Sequence, residues 1–452
     1  LKAFAPMAEA LKKNVRRTGR QRLSAGSHFP IHGSTVLSRK YMMCVFSVLW
    51  CSAVANGELA CEDHEDPVNL LQHGGVHDKV NLTTMVDAQV VKDIDMEPVM
   101  QCLRLTTPNL QTLKYPKDAE EHFEALHKEL APWLEFPGLK YCYQGFCGPW
   151  IENQWISTGF MSQNRSGKKS RKRLAEDFGP FVPIFMPWTD LLNADSLEYD
   201  KMIHTLRKSL RPDVAYITIS QFWSGLVGRQ YELSDQREIM KTIPNVLVVS
   251  AAGYGHVPIP HILRELKFLD GSVIKPMVKR DLLVSFFGNH RTDRHRLRSR
   301  MEETVKKEAK TLGVKVDMHE NSREESDVWQ RIAANSKVSL CPRGWGRTSY
   351  HLYEILHLGL IPIHVYYDMP WLPYPDLYHK IGFSTDLDGL PKLLKKINDM
   401  DLQELERMEE RIRSLKATHF THEGVLNQIS RFMKNGGSDL QCQKLPETWQ
   451  GF

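Results

Sequence analysis

The chain has 452 residues, 25% of them charged, with a formal net charge of +5. That length allows two core-forming domains plus a non-globular head. The mild basicity does not call for nucleic acid as a partner. Lys and Arg are spread over predicted helices instead of forming one stripe with interleaved aromatics, and no zinc-finger or RNA-binding signature occurs. Acidic or phosphorylated small ligands fit the balance.

Leu1 rather than methionine opens the sequence, which reads as a fragment or as carrying translated upstream residues, with Met42 or Met43 as a start. Arg39-Lys40 followed by the apolar run Tyr41–Ala55, ending in Ala53-Val54-Ala55, has the layout of a signal peptide. The run is short for a bilayer span, which takes about 20 apolar residues; a type II signal anchor is the alternative. Residues 1–56 are assigned to this segment. Residues 57–113, polar and without regular periodicity, are expected to be a stem.

Cleavage would remove Cys44 and Cys51, leaving Cys61, Cys102, Cys142, Cys147, Cys341 and Cys442, an even set that permits disulfides in an oxidising compartment. Cys142 and Cys147 are close enough to close a small loop. Cys341 ends an apolar run and is expected in the core. Asn81-Leu82-Thr83 and Asn164-Arg165-Ser166 are N-glycosylation sequons, which matter if the chain enters the secretory pathway.

Within residues 114–275 the pattern predicts a helix over Pro116–Leu130, a cysteine loop over Tyr141–Gly148 and a solvated basic insertion over Asn164–Arg173. Phe185-Met186-Pro187-Trp188 is expected to form an edge facing an acceptor. Gly271–Arg280 is the expected hinge. Residues 276–435 then alternate regularly: strand Leu282–Phe287, helix Arg294–Leu312, strand Val314–Met318, helix Asp327–Asn335, strand Val338–Cys341, helix Ser349–Leu358, strand Ile361–Val365. Such alternation argues for a doubly wound α/β sheet. Two closing helices, Leu402–Ala417 and Glu423–Met433, precede a tail over residues 436–452.

The segment Val338–Tyr367 carries the chemistry. Val338–Cys341 and Ile361–Val365 are short apolar runs suited to strands buried on both faces. Between them Leu352, Ile355 and Leu356 fall at helical spacing, and Gly359 stops the helix. The turn Arg343-Gly344-Trp345-Gly346-Arg347-Thr348-Ser349 puts two glycines, two guanidiniums and two hydroxyls just before a helix N-terminus, where free N–H groups and the positive helix end favour an anion. It is neither a Walker loop nor the G-x-G-x-x-G fingerprint. Glu354, further along the helix, could accept hydrogen bonds from two vicinal ribose hydroxyls. A nucleoside diphosphate would satisfy both ends; a tight turn with solvated arginines is the competing reading.

Pro342-Arg343-Gly344, Ser349, Leu352-Tyr353-Glu354 and Gly359-Leu360-Ile361-Pro362-Ile363 resemble the C-terminal signature of the exostosin family of glycosyltransferases. Gly288-Asn289-His290-Arg291 resembles that family's entry into its second domain. Ile217–Gln221, Pro244–Ser250 and Gly253–Pro260 are similar to its acceptor-side half. The likeness covers roughly Lys114 to Met433, and His351 stands where many members carry Arg.

The resemblance implies two Rossmann-like domains facing a cleft (the GT-B type) and inverting transfer of a sugar from a nucleotide sugar, with UDP the expected nucleotide, to a hydroxyl of a glycan or glycoprotein acceptor. Donor-binding residues would be Asn289, Arg291, Arg343, Gly344, Arg347, Thr348, Ser349, His351 and Glu354. Arg343 and Arg347 would offset charge on the leaving nucleotide. His256 is the candidate base, with a turn-capping histidine as its competing role. The fold type requires no metal and no cofactor beyond the donor as co-substrate. Asp93-Ile94-Asp95 and Asp386-Leu387-Asp388 match an Asp-x-Asp pattern but lack its strand-rich context. The implied location is the Golgi or another secretory lumen, with membrane contact only through the N-terminal segment and no nucleic acid. A transfer-dead carbohydrate-binding or scaffold protein, and a cytosolic nucleotide-dependent enzyme, are the other readings.

Overall fold

A computed structural model of the protein describes residues 94–134, 150–165, 174–194, 196–226, 242–263, 265, 274–289, 296–320 and 328–443. The signal segment, Asn81, the Cys142–Cys147 loop, residues 166–173 of the basic insertion and Arg291 lie outside them.

In chain order the first half comprises α1 (Glu97–Arg104), α2 (Ala119–Leu134), α3 (Ile151–Arg165), α4 (Leu174–Phe178), β1 (Val182–Pro183), α5 (Trp188–Ala194), α6 (Ser196–Ser209), β2 (Tyr216–Ser220), β3 (Val246–Ser250) and β4 (Val257–Pro258). The second comprises β5 (Leu282–Gly288), α7 (Leu297–Leu312), β6 (Lys315–Glu320), α8 (Val328–Ala334), β7 (Ser336–Pro342), α9 (Tyr350–His357), β8 (Pro362–Val365), α10 (Pro375–Tyr378), β9 (Phe383–Thr385), α11 (Leu390–Asn398), α12 (Leu402–Leu415) and α13 (His422–Met433).

Among the described residues every strand pairing is parallel, in two sheets ordered β1-β2-β3-β4 and β6-β5-β7-β8-β9. The protein is thus a mixed α/β molecule with two parallel sheets in one unit, Lys79–Phe452. Strands β2 (YITIS) and β3 (VLVVS) are buried along their whole length, as both-face coverage by helices requires. The second sheet, counted from β5, runs 2-1-3-4-5. Its order reverses between β5 and β7, and in such sheets the crevice for a ligand opens beyond the carboxyl ends of the strands at that reversal.

Residues 94–113 are not a stem. Asp95 Oδ1 accepts from the Glu97 amide at the start of α1, and Val99, Met100, Cys102 and Leu103 bury one face of that helix. Cys102 is disulfide-bonded to Cys442, 340 residues on. Cys341 is a free, buried thiol.

Phe185–Trp188 is core rather than an acceptor-facing edge. The Phe185 ring packs against Trp155, Phe178, Phe123 and His127, and the Trp188 indole donates to Thr218 Oγ1 at 2.8 Å.

Residues 422–443 belong with the first half too. The His422 amide donates to Glu265, a Cβ on Gly179 would lie 2.1 Å from the Met433 carbonyl oxygen, and Gln443 N–H donates to the His256 carbonyl. Helix α13 and residues 438–443 therefore return to the first sheet. The described part of the expected hinge is fastened down: Arg280 makes two hydrogen bonds, of 2.6 and 2.9 Å, to the carboxylate of Glu409 in α12, and both side chains are buried.

Removing one partner of such a pair leaves an uncompensated buried charge, at a cost of about 3–5 kcal/mol. Arg280→Ala is expected to lower the unfolding free energy in urea by that amount. The double change Arg280→Met with Glu409→Leu should cost far less.

Candidate functional site

The carboxyl ends of the two sheets meet. Residues 343–349, following β7, press on residues 251–254, following β3: the Arg347 amide donates to the Ala252 carbonyl at 2.7 Å. A Cβ on Gly346 would fall 2.3 Å from that oxygen and 2.8 Å from the Trp223 carbonyl, and one on Gly253, whose φ is +110°, would fall 2.9 Å from Arg347 Cβ. Only glycine fits at Gly346, where backbone meets backbone, and at Gly253, where the Arg347 side chain lies against a left-handed residue. The Trp371 indole also crosses, donating to the Ser250 carbonyl.

Both loop arginines are buried in this contact. Arg343 donates from Nε to the Gly346 carbonyl and from Nη2 to the Trp345 carbonyl, and its Nη1 lies 3.5 Å from Asp368. Arg347 donates to Asp368 Oδ2 at 2.8 Å and lays its guanidinium 4.5 Å from the Tyr254 ring centre. Burial alone would raise the Asp368 carboxyl; Arg347 and Arg343 outweigh it and hold that carboxyl below its ordinary range. The arginines expected on phosphate thus brace the loop through its own carbonyls and a neighbouring acid. Asp368 supplies a countercharge that sequence reading did not assign.

Ser349 is the N-cap of α9, yet its hydroxyl makes no cap hydrogen bond. It is buried, and its Oγ has no partner. In the first turn the Leu352 amide donates to the Ser349 carbonyl at 3.3 Å, and this end of α9 lacks the side-chain cap that usually serves the first amides of a helix. Gly344 donates to the Thr348 carbonyl, closing the loop. Arg298, in the first turn of α7, donates to the carbonyls of Asn289 at 2.7 Å and Arg343 at 3.1 Å, joining the loops that come after β5 and β7. Nothing but its place in a basic helix marks Arg298 in the sequence. On α9, His351 Nδ1 lies 3.6 Å from Glu354 Oε2, and the His351 ring packs edge-on to Phe286 and Trp329. Asn289, Arg343, Gly344, Arg347, Thr348, Ser349, His351 and Glu354 are therefore gathered at the β5/β7 reversal.

His256 is not among them. Its Nδ1 accepts from the Val248 amide at 3.0 Å, so Nε2 carries the proton and faces Thr106 Oγ1 at 2.9 Å. Burial pushes its pKa down to about 3. A sealed ring with both nitrogens engaged cannot take a proton from an acceptor, so the expected base is a structural histidine. Asp386 Oδ1 accepts from the Gly389 amide, closing the turn that leads into α11, and no cluster of metal-ligating side chains occurs among the described residues.

The first half contributes an acid that the sequence did not reveal. Glu152 Oε1 accepts from the Thr189 amide and Oε2 from the Gln221 amide, joining the carboxyl ends of β1 and β2, and burial pushes its carboxyl up to about 7. The His261 ring lies 3.9 Å from the ring of Tyr350, the first residue of α9.

No family model matches the sequence, and no curated protein matches it. Among solved structures the chain is similar to TarM at 12% identity and a TM-score of 0.28, over 53% of this chain and 47% of that one. It spans about half the length of TarM, and a likeness that weak says nothing of this chain's activity.

Gly346→Ala is expected to separate the two loops, lowering the melting temperature by several degrees in calorimetry. A second outcome concerns pH. Burial holds His127 and His364 at about 4 and His256 and His261 at about 3. These stay neutral in the fold and take up protons on unfolding below their ordinary value of about 6.5. Stability should therefore fall as pH drops from about 6.5 towards 3, by about 1.4 kcal/mol per pH unit for each proton taken up, less an opposite contribution from Glu152, whose carboxyl, raised to about 7, keeps in the fold a proton that the unfolded chain releases. Urea titrations across that range check the sign.

Proposed function

We propose that the protein is a glycosyltransferase of the two-Rossmann (GT-B) type, moving a sugar from a nucleotide sugar, with UDP the expected nucleotide, to a hydroxyl of a glycan or glycoprotein acceptor with inversion. The observation that carries this reading is the grouping of side chains and helix end at the β5/β7 reversal. It combines the side-chain-free N-terminus of α9, the unpartnered buried hydroxyl of Ser349, Arg298 across the two loops, and Glu354 further along the same helix.

A pyrophosphate there would accept from first-turn amides and the Ser349 hydroxyl, with the helix dipole and Arg298 favouring its charge. Glu354 lies five residues beyond Ser349, about 7.5 Å along the axis. That is a reach suited to holding the ribose hydroxyls. Arg343 and Arg347 act by fixing the loop, and with one carboxylate between two guanidiniums they leave a net positive charge beneath it. Asn289, Arg291 and His351 would border the nucleotide. Amide dipoles and guanidiniums supply the electrostatics, so the reading needs no metal. The base belongs to a residue other than His256. The Cys102–Cys442 pair supports a secretory-lumen location, because disulfides persist in oxidising compartments. No helix of the described residues is long and apolar enough to cross a membrane.

Calorimetric titration with UDP and with GDP tests the donor site. UDP should bind, and Arg298→Ala and Glu354→Ala should each weaken it about tenfold, the equivalent of ~1.4 kcal/mol. Equal affinity in both variants would remove the donor assignment. Hydrolysis across a panel of UDP-sugars separates a transferase from a protein that only binds.

A further inference from the structure

Trp345 stands out as an aromatic side chain the donor reading does not use. It is 47% exposed, one of few large apolar side chains among the described residues to be so, although it sits between two glycines in a loop held by several hydrogen bonds. Its carbonyl accepts from Arg343 Nη2, the Gly346 carbonyl after it accepts from Arg343 Nε, and Gly346 is wedged against the backbone of the opposing sheet. The backbone therefore holds the indole at the surface, where it gives up the burial that normally stabilises so large an apolar group.

A second indole faces it. Trp223, half-buried, comes after β2 in the other half, and the two ring centres are 6.0 Å apart with planes inclined at 48°. The pair offers a notch with one wall from each sheet. Its place relative to the donor is set by chain order. Glu354 lies beyond Ser349 along α9, whereas Trp345 lies before Ser349, on the loop tip that reaches the first half. A donor with its ribose at Glu354 and its phosphates at Ser349 would extend its sugar towards that tip, where the attacking hydroxyl must also be held. Indole faces carry the negative end of a quadrupole, and the axial C–H groups of a pyranose ring are weakly positive and apolar, so a neutral sugar ring is the ligand the surface suits.

We propose that Trp345, with Trp223 beside it, forms an acceptor subsite on which one sugar ring of an oligosaccharide stacks. This rests on the glycosyltransferase reading and adds to it the class of acceptor and the residue that receives it.

The test labels the full chain with 5-fluorotryptophan and tracks fluorine resonances during titration with β-1,4-linked tetrasaccharides of glucose, xylose and galactose, with UDP titrated separately. Trp345→Phe assigns the resonance. Support is a saturable shift of the Trp345 signal with at least one tetrasaccharide, about tenfold weaker binding in Trp345→Ala and partial retention in Trp345→Phe, with melting temperature and UDP affinity unchanged. The subsite is overturned if no tetrasaccharide binds the unmodified protein at millimolar concentration, or if binding leaves the signal in place and is equal in Trp345→Ala. It is also overturned if UDP moves the signal and loses affinity in that variant, which would make Trp345 a nucleobase platform. Absence of UDP binding to the unmodified protein, with tetrasaccharide binding intact, would instead remove the donor reading and leave the sugar surface standing.

Discussion

The meeting of two glycine-bearing loops, one from each sheet, is the constraint on which the rest of the site depends. Gly346 lets backbone reach backbone, Gly253 leaves room for the Arg347 side chain, and the Arg347 amide seals the approach on the Ala252 carbonyl. Tyr254, held at a φ of +66° in the left-handed region that non-glycine residues seldom occupy, supplies the ring on which the Arg347 guanidinium rests. Strain at one residue is thus offset by a cation held against a π face. Without that seam the loop after β7 would have no fixed shape, and neither the helix end nor the indole beside it would have a fixed direction.

Charge within the seam is arranged in layers. Two buried guanidiniums share one carboxylate, so the loop keeps a positive excess without a cation pointing into the crevice. Where the phosphates would lie, the groups offered are neutral hydroxyls, helix amides and Arg298, with Glu354 further along α9. Such a site would favour an anion through fixed dipoles, which need little rearrangement when the ligand arrives, instead of through long side chains that must be ordered each time.

Local pattern explains why the second sheet is legible from sequence. Val338–Cys341 and Ile361–Val365 are buried on both faces and flank a helix that Gly359 ends, so period and punctuation agree. The gathering of residues 343–354 at one strand end is a product of that local order. What the sequence does not disclose is partnership over distance. Asp368 lies 21 and 25 residues from the arginines it neutralises, and Thr106 lies 150 from His256. The Gly253-Tyr254-Gly255-His256 turn has the composition of a ligand loop, and only its neighbours show that it is packing. Similarly, the polar sequence around α1 conceals Val99, Met100 and Leu103 because so short a helix offers a single buried stripe.

The Cys102–Cys442 bond joins two segments that both rest on the first sheet, so the second sheet emerges from the first half and returns to it inside one covalent ring. Two strands of chain leave and re-enter, through Arg280 on one side and α13 on the other. A body tethered at two points can swing about the line between them but cannot wander or twist freely, so any opening of the crevice has one natural axis. The same ring would keep the pieces of a chain cut in an internal loop together until the bond is reduced.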